Sequence, residues 1–441
     1  MQQLIDLIKQ NGGTAMLVGG AVIDSIQNRE IKDFDIEVYG LSYESLINIL
    51  TDLNLPINVV GKSFGIIKTC INNNEIDLSI PRTENKHGIG HKGFEVCLNS
   101  TLTPFEAGLR RDLTINSMYL NLHTNELVDP FNGLSDLNDG ILRATNATTF
   151  VEDPLRVLRI MQLLARKGKS VAPETIELCK SISDKFNELP KERIFEEFKK
   201  LLLKSNKPSL GLEFLKQSDW LKHFPALNDL VNCEQNLIWH PEGDVWNHTM
   251  LVIDNAASVL QNIPEDLQLS FMFGALLHDI GKPATTAEDL TSKGHDGVGS
   301  EMVESFMNIL TDEIKLIENV SKLVRLHMRS QQLVQSKAGL PAWKRLHNQF
   351  RLDVLGWLSK CDSNGRLGRT LETKHETSEI CFKYFEKLGT KRIKPIICGK
   401  DLIQLGVKPG FEMGLLLKQA YELQLDGFEK DEIINQLNLK A

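Results

Sequence analysis

The sequence has few cysteines, no long apolar run, no surplus of positive charge and no low-complexity tract, and each shortage closes off a class of protein. Seven cysteines stand at 70, 97, 179, 233, 361, 381 and 398, an odd number without a C-x-x-C pair. Neither a disulfide framework nor a zinc ribbon is expected, and the cysteines read as reduced, mostly buried thiols. No stretch approaches the roughly 20 apolar residues that a membrane helix needs. The opening MQQLIDLIKQ carries Asp6 early and lacks the basic flank and apolar block of a secretory signal, so the cytoplasm is the expected compartment. Net charge is −8, from 50 Lys and Arg against 58 Asp and Glu. That balance disfavours nucleic-acid binding unless local patches supply the cations that phosphates attract. Candidate patches are Lys86 with Lys92, Arg110 with Arg111, Arg166 with Lys167 and Lys169, and Lys191 through Lys200. A solvated helix or loop face explains each of them equally well when taken alone.

What is present is an ordinary globular composition, 41% apolar and 24% charged, spread over 441 residues. That length exceeds what one core organises, so two to four domains are expected. Residues 1 to about 145 alternate short β-branched runs with Gly and Asn turns: AMLVGG, DFDIEVYG, PINVVG, FGIIKTCI, EIDLSI and SMYLNL. The pattern predicts a small sheet with a few helices. From about 150 onward, segments such as DPLRVLRIMQLLAR and PKERIFEEFKKLLLK repeat apolar residues every three or four positions, and the remainder reads as nearly all helical. Breaks fall at Ser205 to Pro208, Pro241 to Gly243, Pro283, and Gly389 to Pro395.

The most informative stretch is LVGGAVIDSI followed by KDFDIEV. A strand that ends in Gly19-Gly20 and runs into a helix turns backbone N–H groups toward a phosphate site. Asp33 and Asp35, two apart on a strand, point to one face. Like charges held side by side call for a cation, and hard carboxylate oxygens suit Mg²⁺. Further along stand RRDLTIN (110–116), DPFNGLSDL (129–137), EDPLRVLR (152–159) and ERIFEE (192–197).

In this order and spacing the first 205 or so residues resemble the nucleotidyltransferase superfamily, specifically the bacterial tRNA CCA-adding and poly(A) polymerase family. The resemblance implies that Asp33 and Asp35 are the Mg²⁺ ligands. Asp77 on EIDLSI is a candidate third carboxylate, or else a surface strand residue. Gly20 would lie against the incoming triphosphate, Arg111 would bind its phosphates through a guanidinium fork, and Asp112 and Asn116 would brace the site. Glu152, Asp153 and Arg156 match the family's E-D-x-x-R element, in which Asp and Arg read the edge of CTP or ATP, and Arg159 resembles a further nucleotide-binding position. Cytosine and adenine each place an exocyclic amine beside a ring acceptor, so one acceptor and one donor satisfy both. At i and i+3 of a helix, Asp153 and Arg156 would share a face. The competing structural role makes Asp153 a helix cap and Arg156 its ion-pair partner. Two positions depart from the family pattern: Ile23 and Gln162 stand where Arg is usual, which removes positive charge near the triphosphate.

A second series runs His248, His278-Asp279, His295, His327 and Asp362. Imidazoles with carboxylates suit transition-metal ions, and the order H…HD…H…H…D resembles the all-helical HD phosphohydrolase superfamily over about 236–365. The resemblance implies a divalent metal such as Ni²⁺ or Mn²⁺, with Lys282 available to a phosphate, and 2′,3′-cyclic phosphodiesterase, 2′-nucleotidase and phosphatase activities. His240 and His375 fall outside the series. The last stretch resembles an RNA-holding helical tail, with Gly399, Gly406, Gly410 and Gly414 marking turns.

The expected architecture is an α+β nucleotidyltransferase head (small mixed sheet with helices; 1–145), followed by an all-α neck with base recognition (146–235), an HD domain (236–365) and a helical tail (366–441). The expected activity is template-independent addition or repair of the tRNA 3′-terminal CCA from CTP and ATP. The acceptor arm of tRNA would be gripped by shape and backbone, as monomer or homodimer. Two other readings are a poly(A) polymerase and an RNA-binding or regulatory homologue whose head has lost catalysis.

Overall fold

A computed structural model describes residues 1–31, 33–59, 65–86, 94–367 and 375–438. The basic candidate Lys92 lies outside the described residues. The chain separates into two compact units, 1–205 with 210–223, and 206–209 with 224–441.

The first unit is built on a six-stranded mixed sheet. Its strands in chain order are β1 (Thr14–Val18), β2 (Asp33–Tyr39), β3 (Ile66–Ile71) and β4 (Asn74–Ser79), with Arg82–Lys86 and Phe94–Leu98 (β5 and β6) forming a separate antiparallel hairpin, and then β7 (Tyr119–Asn121) and β8 (Leu127–Val128). The sheet order is β3-β4-β2-β1-β7-β8. Only β2 and β4 run parallel, with Asp35 opposite Asp77. Alternation along β2 sends Ile36 and Val38 into the core at 1% and 0% exposure, which leaves Asp33, Asp35 and Glu37 on the other face. Among the described residues of PINVVG, 56–59, Asn58 makes an isolated bridge to Lys68 in place of a strand. The β5/β6 hairpin was not expected from the sequence.

A helix over Leu155–Lys167 follows, burying Leu155, Val157, Leu158, Ile160, Met161 and Leu164 and ending on Arg166 and Lys167, where cations complement the helix dipole. Among the described residues the helical texture after 150 is interrupted once, where β10 (Ser170–Val171) pairs in parallel with β9 (Ile141–Leu142).

Among the described residues the second unit is all helical. Its helix Val245–Ser258 starts on Asp244, whose side chain accepts from Asn247 N. Further helices cover Glu265–Leu277, His295–Met307, Ile314–Leu326 and Leu352–Gly365. In the tail, Gly414 sits inside the helix Phe411–Asp426 rather than at a turn. The cysteines are all free, but only Cys179, Cys361 and Cys381 are buried; Cys70, Cys97 and Cys398 are exposed and Cys233 is intermediate. Three lie on strands or a cap with a solvent-facing side, which a count of cysteines does not reveal. Among the described residues no helix is long and apolar enough to cross a membrane.

Candidate functional sites: an acidic strand over a basic cavity, and a histidine-aspartate cluster

In the first unit, β1 ends at Val18 and the chain turns through Gly19, whose φ of 66° and ψ of −137° only glycine adopts freely, into the helix Gly20–Ile26. A Cβ on Gly19 would lie 3.8 Å from Asp35 Oδ2, so this turn and the β2 carboxylates adjoin. They open on one cavity of about 740 Å³. Nine cationic side chains line it, among them Arg110, Arg111, Arg166, Lys167, Arg193 and Lys200, against five acids, Asp24, Asp33, Asp35, Asp112 and Asp153. A local cationic excess therefore exists on a chain whose net charge is −8.

Burial, reinforced by Asp77 and Asp33, raises the pKa of Asp35 above the usual carboxylate range. Bringing a divalent cation to those oxygens relieves that repulsion, and the all-oxygen donor set suits a hard ion. Asp77 itself is held by Lys68 at 2.6 Å.

Glu37, which the sequence reading passed over, lies on the same strand face and is fully buried. It accepts from Arg110 at 3.0 Å and Arg111 at 2.9 Å. Although burial opposes its ionisation, the two guanidinium groups outweigh that and lower its pKa. Arg111, expected on phosphate, is thus oriented by Glu37 at the cavity wall. Asp112 accepts from Asn116 at 3.0 Å and from Arg159 at 2.7 Å. Its burial is outweighed chiefly by Arg159, and its pKa falls to about 2. Arg159 is therefore joined to the brace formed by Asp112 and Asn116.

Asp153 and Arg156 both line the cavity, 4.0 Å apart, but Asp153 precedes the helix and caps Leu155 N at 3.1 Å. Arg156 donates to Thr149 O at 3.0 Å and also to Arg110 O. The capping role and the placement at the cavity coexist. Glu152 stands next to the pair, outside the cavity lining. Ile23 and Gln162, exposed by only 1% and 3%, both border this cavity, and Gln162 accepts from Arg166 at 2.8 Å.

In the second unit the six sequence candidates converge from five elements. His248 lies on Val245–Ser258, His278 and Asp279 just past Glu265–Leu277, His295 at the start of its helix, His327 just past Ile314–Leu326, and Asp362 on Leu352–Gly365. All six are buried. Among the described residues three sets of ligand atoms gather within 4.8 Å, two of them drawn from these six, His248 with His278 and Asp362, and Asp279 with His295 and His327, and a third formed by His240, Glu242 and His248. Asp279 touches both of the first two sets, Oδ2 lying 3.2 Å from His278 Nε2 and Oδ1 lying 3.3 Å from His295 Nε2.

The imidazoles are set by their far nitrogens. Nδ1 of His278, His295 and His327 donates to Ala275 O, Ser292 O and Val324 O at 2.9, 2.6 and 2.6 Å, and Nδ1 of His248 donates to Glu242 at 2.9 Å. With the proton committed to Nδ1, the Nε2 lone pairs face inward. His295 and His327 bring theirs within 3.1 Å, and His248 and His278 within 3.4 Å. Opposed lone pairs repel unless a cation lies against them, so the donor set fits divalent metal. Burial, with His278 beside it, holds His327 at about 4, in the neutral form a ligand requires, whereas for His248 and His295 burial is outweighed by Asp362 with Glu242 and by Asp279, which raise the pKa.

Glu242 and Arg366, absent from the sequence series, and Lys282, expected to meet a phosphate, complete this cluster. Glu242 receives both His240 and His248, Arg366 forks onto Asp362 at 2.9 and 3.1 Å, and Lys282 bridges Asp279 at 2.8 Å and Gln235 at 2.6 Å. Lys282 and Arg366 also face a cavity of about 410 Å³. The H-P-E run at 240–242 was the available signal for Glu242, a carboxylate six residues before a ligand histidine. His375 precedes the first residue of the helix Glu376–Leu388.

Comparison with known proteins places these features in a family. The "Poly A polymerase head domain" family matches residues 15–143, the family "Probable RNA and SrmB- binding site of polymerase A" matches 170–230, and the "HD domain" family matches 245–346. The fold is that of the Bacillus stearothermophilus CCA-adding enzyme in complex with CTP, at a TM-score of 0.68 and 18% identity over 99% of this chain and 96% of that one. The Thermotoga maritima CCA-adding enzyme complexed with tRNA aligns at a TM-score of 0.61 and 19% identity, over 98% of this chain and 93% of that one. A multifunctional CCA protein of Psychromonas ingrahamii is 32% identical over 397 residues, which span 86% of this chain and 92% of the relative. With agreement of that depth along nearly the whole of both proteins, the chain belongs to the multifunctional CCA protein family, nucleotidyltransferases that carry an HD domain.

Proposed function

We propose that the first unit adds the 3′-terminal CCA to tRNA from CTP and ATP without a nucleic-acid template, and that the second hydrolyses phosphoesters, 2′,3′-cyclic ones included. The observation that carries the first part is the single cavity shared by Gly19, Gly20, Asp33, Asp35, Asp153 and Arg156. Neither the poly(A) polymerase nor the non-catalytic reading is favoured by the multifunctional CCA relatives. We assign the reaction to the cytoplasm, and we keep the head, neck, HD and tail division given above.

Asp33 and Asp35 would hold Mg²⁺, with Asp77 beside them. When bound, magnesium supplies activation of the 3′-hydroxyl and charge stabilisation of the departing pyrophosphate. The chain's own groups do the rest. Gly20 lets the triphosphate approach the backbone, and Glu37 holds Arg110 and Arg111 toward its phosphates. Asp153 offers an acceptor and Arg156 a donor to the base edge, while Arg159, braced by Asp112, closes the wall. Arg193 and Lys200 offer positive charge to the RNA backbone at the same cavity.

In the second unit His248, His278 and Asp362 would hold one Ni²⁺ or Mn²⁺ ion and His295 and His327 another, with Asp279 between them. Such ions supply a water made acidic enough to attack phosphorus near neutral pH. Lys282 and Arg366 draw the phosphate in.

The test is incubation with tRNA lacking its last three nucleotides, labelled CTP or ATP, and Mg²⁺. Incorporation that stops after CCA is expected, and Asp35→Asn should lower it at least about a hundredfold, on the scale of losing one charge-stabilising group. A parent protein that incorporates nothing overturns the reading. In parallel, 2′,3′-cyclic AMP with Ni²⁺ or Mn²⁺ tests the second unit, where an Asp279→Ala variant as active as the parent removes the assignment.

A further inference from the structure

An exposed tryptophan leaves a large, flat, apolar surface in water, and such surfaces mark binding sites. Trp239 is 58% exposed, beside Leu237 at 66% and Ile238 at 83%, whereas Trp220, Trp246 and Trp343 are buried. Its backbone is held in a defined turn: Trp239 N and His240 N both donate to Asn236 O, at 3.0 and 2.9 Å, and Ile238 N donates to Asn236 Oδ1 at 3.0 Å. One residue on, His240 is fastened to Glu242 at 2.8 Å, and that same oxygen accepts His248 Nδ1. The indole is therefore presented by a loop tied to the ligand shell.

Trp239, Leu290 and Met328 share the walls of the 410 Å³ cavity with Asp279, Lys282 and Arg366. Leu290 takes a φ of +60°, which a leucine adopts only at a cost, and hydrogen bonds of 2.9 Å between Ala287 N and Thr291 O and between Leu290 N and Ala287 O hold it there. A ligand matching these walls needs an anionic ester for Lys282 and Arg366 and a flat apolar face for the indole. A nucleotide joins the two within one molecule. The volume lies near the lower end of the range for small-molecule pockets, roughly 300–1,000 Å³, which suits one nucleotide rather than a duplex.

We propose that Trp239 is the nucleobase platform of this cavity, so that the second unit selects the terminal nucleoside of an RNA over base-free phosphoesters. The inference rests on the phosphoesterase reading of this unit. Stacking tolerates any base, because every base has a π-face, so the platform confers preference for nucleotides without preference among them.

Two measurements on the full chain loaded with Ni²⁺ test it. The first compares kcat/KM on 2′,3′-cyclic AMP with that on glycerol 1,2-cyclic phosphate, which has no base. Trp239→Ala should lower the ratio of the two about tenfold, through KM for the nucleotide, and Trp239→Phe should restore most of it. The second is calorimetric binding of 2′-AMP, which Trp239→Ala should weaken by about the same factor. An unchanged ratio, or unchanged 2′-AMP binding, overturns the platform. A parent protein that hydrolyses neither ester while binding 2′-AMP through Trp239 overturns the phosphoesterase reading alone, which separates the two failures.

Discussion

Glu37 touches no solvent, yet two arginines of the cavity wall depend on it. Truncating it removes the buried carboxylate that Arg110 and Arg111 share, so Glu37→Ala should destabilise the first unit by about 3–5 kcal/mol, measured by urea unfolding. The alternation of Asp33, Asp35 and Glu37 along one strand face was readable from the sequence; that Glu37 faces Arg110 and Arg111, more than 70 residues away, was not. Asp112 makes a pH-dependent contribution. Its carboxyl sits at about 2 against an ordinary 3.8, so its stabilisation is complete above the ordinary value and is lost as pH falls through the folded one. The unfolding free energy of the parent should exceed that of Asp112→Asn by about 2 kcal/mol from neutral pH to about pH 5. The margin should shrink as the pH is lowered from there toward about 2.

At the scale of elements, the histidine-aspartate cluster depends on how closely two segments approach. A Cβ on Gly281 would lie 2.1 Å from His295 O and 2.6 Å from Gly299 N, and backbone atoms cannot swing aside as a side chain would. Gly281→Ala should therefore push the His295 helix outward and lower the Ni²⁺ content at least about tenfold, on the scale of a lost outer-shell contact. Metal analysis of the purified variant reads this, and circular dichroism checks that the helices remain. The helices themselves were legible, since apolar residues at three- and four-residue spacing mark them directly. In PINVVG the described residues 56–59 contribute an isolated bridge and no strand, because strand composition does not supply the pairing partner, which lies elsewhere in the chain. The β5/β6 hairpin was missed because its first strand, RTENK, has no apolar alternation to read.

At the scale of the whole molecule, two compact units with separate sites should respond to separate ligands. Thermal unfolding should show two transitions. CTP with Mg²⁺ should raise the one belonging to the first unit, and Ni²⁺ the other, each by about 2.7 kcal/mol at a hundredfold excess over Kd. Calorimetry of the parent and of Asp279→Ala checks the assignment, since the variant should lose only the Ni²⁺ response. The net charge of −8 argued against RNA at this scale and misleads, because fields act locally: the cavity in the first unit concentrates nine cations against five acids, while most of the 58 acids lie elsewhere.

The amino-acid sequence alone determined which donors exist and which elements bear them: two aspartates one pleat apart on a strand, a glycine turn before a helix, histidines and aspartates among helices. Those features follow from backbone periodicity, a local property read within a few residues. Tertiary structure alone decided which atoms meet. It set Asp77 beside Asp35, turned Arg111 onto Glu37, tied Asp362 to His248 and left the Trp239 indole on the cavity that Asp279 lines. Such contacts span tens to more than a hundred residues, and they form only when packing and paired charge outweigh the entropy of closing the chain between them.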